Sequence, residues 1–135
     1  MTLTQEHADQ VLAAARAHAE QLGARVTIAV VDAGAHLLAL TRHEDANLVS
    51  LDLAISKAYT AMVLREPSDA IAEDIRPGGP LHTLDTAHTP RPLISLPGGL
   101  PLGTPVIGAV GVSGGSLEVD TAIAEAGARI LADNS

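Results

Sequence analysis

The chain reads as an α+β domain, a small antiparallel sheet with helices gathered before and after its strands. Three observations carry this. An amphipathic helical stripe opens the chain, a β-branched run and a second apolar run joined by a turn follow it, and a third apolar run near the end passes through a glycine-rich corner into a last helix. Consecutive strands in antiparallel partnership, with no alternation of strand and helix, point away from a doubly wound parallel sheet.

The first helix is expected from Thr4 to about Leu22. Thr4 is a good cap, Ala8, Val11, Leu12, Ala15, Ala19 and Leu22 fall on one stripe, and Gly23 suits the position past the end. Arg25–Asp32 (RVTIAVVD) and Ala35–Arg42 (AHLLALTR) are strand-like, and the Ala33-Gly34 turn between them predicts a hairpin. Leu51, Ala54, Ile55, Ala58 and Met62 give a second helix over about Leu48–Arg65, ended by Pro67, and Ser68 is placed to cap a short third one over Asp69–Ile75.

The span from Pro77 to Pro105 holds seven of the eight prolines and five of the twelve glycines. It is expected to be mostly irregular, with one short strand near Pro92–Leu96. Val106–Ser113 reads as a buried strand, and Ser116 as the cap of a final helix over Leu117 to about Ala132.

Composition narrows the function. The 135 residues suffice for one domain with one sizeable core, and that core must be aliphatic, because the only aromatic side chain besides histidine is Tyr59. A net charge of −8 with eight basic residues argues against nucleic acid and anionic membranes as partners. No stretch is long and apolar enough to span a bilayer, and MTLTQEHADQ does not resemble a signal peptide, so the expected address is the cytoplasm. Without cysteine, any chemistry falls to His, carboxylates, Lys, Arg, Ser, Thr or Tyr.

Several groups are placed to carry it. Ser113-Gly114-Gly115-Ser116 stands at a helix start, where free N–H groups and approachable backbone suit an anion. The same four residues also suit a plain corner in which Ser116 satisfies the amides, and Glu118 and Asp120 would repel an added anion. Lys57, the one lysine, is suited either to a ligand carboxylate or to an ion pair within the fold. It cannot meet Asp52, which lies about 140° around the helix from it.

His43, Glu44 and Asp45 leave the second strand together, a setting for acid–base chemistry or for a solvated loop. His82 and His88 lie in the Pro/Gly-rich span and can reach that loop or remain at the surface. His7 and His18 are about 16 Å apart along the first helix, too far to share a metal ion, and His36 is expected on the opposite side of the sheet from His43. No metal-ligand spacing emerges.

Three stretches, VVDAGAHLLALTR, SLDLAISKAYTA and GGLPL with VIGAVGVSGGSLEVD, together resemble the GlcG/HbpS haem-binding-like family, related to the PduO C-terminal domain. The resemblance runs from about Thr2 to Ala132 and implies one GlcG/HbpS-like domain over 1–135. It implies a profilin-like or PAS-like sheet flanked by helices, a homo-oligomer, and a small ligand, either haem or another carboxylate-bearing molecule. Arg42, Lys57, Gly98, Gly99, Ser113, Gly114 and Gly115 form the candidate ligand-binding set.

Where the family pattern has Met-Asp-Gly-Ala after Arg42 this chain has His43-Glu44-Asp45-Ala46, and where it has an aromatic the chain has His82. Under an enzymatic alternative, a cofactor-independent isomerase, cyclase or lyase, His43, Glu44 and His82 would be the catalytic groups. A non-catalytic accessory oligomer is the third reading. Haem itself is disfavoured by the lack of Phe and Trp to pack its ring.

Overall fold

The computed structural model describes residues 1–88 and 91–132. Helix α1 (Gln5–Leu22) starts where Thr4 Oγ1 accepts the His7 amide at 3.0 Å and stops at Gly23, whose φ of 65° closes the last turn onto Ala19 and Glu20. The hairpin of β1 (Thr27–Asp32) and β2 (Leu37–Arg42) follows, then α2 (Val49–Leu64).

Ser68 begins a 3-10 turn (Ser68–Ile71) that runs into α3 (Ala72–Ile75), but it does not cap it. Its buried hydroxyl donates to Leu96 O at 2.6 Å and accepts from the Gly99 amide at 2.9 Å, tying the Pro-rich span to the sheet. A one-turn helix α4 (Leu84–Ala87), not expected from the sequence, interrupts that span. Strands β3 (Gly99–Leu102) and β4 (Gly108–Ser113) and helix α5 (Leu117–Ala128) complete the chain, with a 3-10 turn at Arg129–Leu131.

The strand expected at Pro92–Leu96 is therefore displaced to Gly99–Leu102. The Ile94 amide, which a strand would offer to a neighbour, instead donates to Thr60 Oγ1 on α2 at 3.0 Å. The sheet is antiparallel throughout, in the order β2-β1-β4-β3, which confirms the α+β class and the helix-flanked antiparallel sheet. Pro101 is accommodated because β3 is an edge strand.

The two central strands are buried on both faces. Ile28, Val30, Val110 and Val112 pack with α1 and α5, whereas Ala29, Val31 and Ala109 meet Ala54, Ala58, Ala61 and Met62 of α2. Small residues bring α2 close to the sheet. A Cβ on Gly111 would collide with the carbonyl of Ala54, so glycine is what allows this approach. No helix is long and apolar enough to cross a membrane among the described residues.

Candidate functional site

The sequence-predicted residues divide between two regions. At one end of the sheet, β4 turns into α5 and the side chain of Lys57 arrives from α2. Its ammonium donates to Val112 O at 2.9 Å and to Asp120 Oδ2 at 3.2 Å, with both side chains almost wholly buried. Asp120 Oδ1 accepts the Gly115 amide at 2.9 Å, and Ser116 Oγ accepts that of Val119 at 3.1 Å. Burial pushes the Asp120 carboxyl above its ordinary value, against the opposing pull of the Lys57 charge and the Gly115 amide.

The corner is thus answered from within the chain. Ser113 is buried, Gly115 already donates to Asp120, and Gly114 takes φ 126° where a Cβ would strike the carbonyl of Arg25. Gly98 and Gly99 make room for α2: a Cβ on Gly98 would lie 3.0 Å from Lys57 Nζ, and one on Gly99 would run into the Lys57 carbonyl. Their close approach serves packing, so Lys57, Gly98, Gly99, Ser113, Gly114 and Gly115, the residues expected to surround a ligand, are engaged with one another and with the neighbouring backbone.

Asp120 is the partner that sequence reasoning missed. Its signal was present: Asp120, Ile123, Ala124 and Gly127 are all buried and follow the i, i+3, i+4, i+7 stripe of α5, so a carboxylate on the apolar face calls for a buried cation.

The second region is a cleft between α1 and the outer strand. Arg16, Ala19 and Glu20 form its helical wall, Val26 and Ile28 its floor, and Thr41, Arg42, His43 and Glu44 its far side. Its volume is about 220 Å³. The His43 amide extends the hairpin by donating to Val26 O at 3.0 Å, and Arg42 Nη1 reaches over the loop to the carbonyls of His43, Glu44 and Ala46 at 3.1, 3.3 and 3.4 Å.

His43 Nδ1 accepts the Asp45 amide at 3.0 Å. With that lone pair engaged, neutral His43 carries its proton on Nε2 and presents a donor. Arg42 and His43 line the cleft with donor nitrogens beyond the Nη1 and Nδ1 already engaged, which suits an acceptor, beside the carboxylates of Glu20 and Glu44. Arg16 adds a cation whose Nε lies 3.4 Å from Glu20 Oε1, both side chains being exposed.

The expected acid–base set is not assembled. Glu44 Oε2 stands 3.9 Å from His43 Nδ1, the nitrogen already used by Asp45, and its side chain is 81% exposed. His82 lies in an exposed turn before α4 and does not line the cleft. His7 and His18 sit half-buried along α1, while His88 bonds Tyr59. His36, on the other side of the sheet as expected, pairs with Asp32 at 3.5 Å and lines a cavity against α2.

Fold and cleft together define a helix-flanked antiparallel α+β protein with a small depression on one face, edged by two arginines, two glutamates and a histidine. A family model described as haem-degrading protein HbpS-like matches residues 3–129, and the chain belongs to that family. It is 39% identical over 126 residues to an uncharacterised 15.0 kDa protein of the dhaT-dhaS intergenic region of Citrobacter freundii, covering 92% of this chain and 88% of that protein. It is 37% identical over 114 residues to protein GlcG of Escherichia coli K12, covering 82% of this chain and 81% of GlcG. The crystal structure of the PduOC–haem complex superposes with a TM-score of 0.89 at 31% identity, covering 96% of this chain and 95% of that one.

Proposed function

We propose that this chain is a small-molecule-binding protein that takes a carboxylate-bearing ligand in the cleft between α1 and β2. The observation that carries the reading is that Arg42 and His43, at the end of β2, line a cleft floored by Val26 and Ile28, with His43 Nδ1 engaged by the Asp45 amide so that its Nε2 is the donor. A carboxylate pairs with the donors, and the body of the ligand lies against the apolar floor.

The haem bound by the PduOC relative makes haem the first molecule to try. The residues of this chain fit it poorly at this cleft. About 220 Å³ falls below the several hundred cubic ångströms of ordinary ligand pockets, no Phe or Trp is available to pack the ring, and His43 offers a proton where an axial ligand must offer a lone pair. A compact carboxylate therefore suits one chain better than the macrocycle.

The test is a titration with haemin, followed in the Soret region, beside a titration with propionate followed by amide NMR shifts. Propionate shifts confined to Thr41–Glu44 and Arg16–Glu20, lost in Arg42→Gln and weakened in His43→Ala, support the reading. Saturable haemin binding that propionate displaces and Arg42→Gln weakens supports it with haem as the ligand. Neither probe binding, or binding indifferent to both substitutions, overturns it.

A further inference from the structure

On the opposite face of the sheet from the proposed ligand cleft, the turn between β1 and β2 overhangs α2 and meets the chain after α4. Between them lies a cavity of about 520 Å³, within the range of small-molecule pockets. Its walls include Ala35, His36, Tyr59, Val63, Arg91 and Pro92. We propose that this cavity is a second binding site, for an organic monocarboxylate with an apolar body, its carboxylate on Arg91 and its body against Tyr59, Val63 and Pro92.

Arg91 is held ready for an anion by neutral groups. One of its five N–H bonds donates to Ser56 Oγ at 3.2 Å, and its guanidinium carbon stands 6.0 Å from the centre of the Tyr59 ring. Among the described residues it has no carboxylate partner, in contrast to Arg16, Lys57 and Arg76. A guanidinium braced by a hydroxyl and an aromatic face keeps its charge and most of its fork for a ligand, the geometry that receives a carboxylate in two parallel hydrogen bonds.

The surroundings fix the rest of the ligand's character. The Tyr59 ring is buried and oriented by the bond of 2.9 Å between its hydroxyl and His88 Nε2, so it presents a fixed apolar wall. Asp32, at the end of β1 where the overhanging turn begins, is turned toward it: its Oδ1 accepts the amides of Gly34 and His36 at 2.9 and 3.0 Å and lies 3.5 Å from the His36 ring. With the His36 ring turned to Asp32, one guanidinium among Ala, Val, Pro and Tyr surfaces matches a monoanion with a hydrocarbon body better than a multiply charged phosphate, which calls for several cationic donors.

Tyr59 is the only tyrosine in a chain without Trp or Phe, so its emission reports on this cavity alone. Hexanoate, transparent where tyrosine absorbs, is titrated into the wild-type protein and into Arg91→Gln and His43→Ala, with calorimetry in parallel and inorganic phosphate as the comparison anion. The expected result is a saturable change in Tyr59 emission with hexanoate, about tenfold weaker binding in Arg91→Gln, and unchanged binding at this site in His43→Ala. Absence of both an emission change and heat overturns the proposal, as does hexanoate binding that Arg91→Gln leaves intact. Phosphate binding as tightly as hexanoate overturns the assignment of an apolar-bodied ligand. Because His43→Ala separates the two faces, failure here leaves the cleft between α1 and β2 to stand on its own test.

Discussion

The two polar regions of this protein use the same kinds of group to opposite ends. At the β4–α5 corner a lysine and an aspartate are shut away from water and satisfied by each other, by Val112 O and by the Gly115 amide. At the end of β2 an arginine and a histidine are fastened through some of their atoms and leave others at a cleft. The difference teaches that a polar cluster in a family-like motif is not thereby a ligand site. What decides is whether the hydrogen-bonding capacity is spent inside the chain.

The largest expected effect breaks the closed region. Lys57→Met leaves Asp120 buried without its cation and should cost on the order of 3–5 kcal/mol in guanidinium unfolding. The double variant Lys57→Met/Asp120→Leu should regain most of that loss, since two apolar side chains of similar bulk need no partners. A double variant as unstable as the single one would show that the pair is needed for more than mutual neutralisation.

Gly99→Ala attacks the same region through the backbone. Its Cβ meets the Lys57 carbonyl, and the strain should cost about 1–3 kcal/mol. By contrast Glu44→Ala, at the exposed rim of the open region, should stay within about 0.5 kcal/mol of wild type in the same assay.

The open region should show the inverse profile. His43→Ala is expected to weaken propionate binding about tenfold, near 1.4 kcal/mol, while shifting unfolding free energy by no more than about 0.5 kcal/mol. A large loss of stability without a change in binding would place His43 with the structural groups and erase the contrast.

The smallest effect is a pH slope. Burial raises the Asp120 carboxyl in the folded chain, so the folded state holds that proton more tightly than the unfolded one. Its contribution to stability therefore declines as pH rises from the ordinary carboxylate value through the raised one. Wild-type unfolding free energy, measured relative to the Lys57→Met/Asp120→Leu variant, should fall across that window. A rise would mean that the attraction of Lys57 outweighs desolvation.

Much of the scaffold was legible because its signals are local. The caps at Thr4 and Ser116, the stripe of α1, the Ala33-Gly34 turn and the β-branched run of β1 each specify an element within a few residues. The Pro/Gly-rich span was not legible in the same way. Pro92–Leu96 has the apolar character of a strand, yet Thr60 captures the Ile94 amide and Ser68 captures the Leu96 carbonyl, so the ladder falls to Gly99–Leu102. One-turn α4 carries no periodicity to detect.

The site residues follow the same division. From Lys57, the ammonium and its need for a partner could be read; from Ser116, the cap; from Arg42 and His43, their place at a strand end facing a loop. The sequence by itself determined the aliphatic core, the antiparallel α+β class, the membership that its motifs resemble, and the stock of groups available for chemistry. Only the tertiary structure decided which of those groups remain free. Lys57 and Asp120 are 63 residues apart in the chain, and Tyr59 and Arg91 are 32 apart. Whether a charge meets its partner or a cavity depends on packing between elements, and no local propensity encodes that distance.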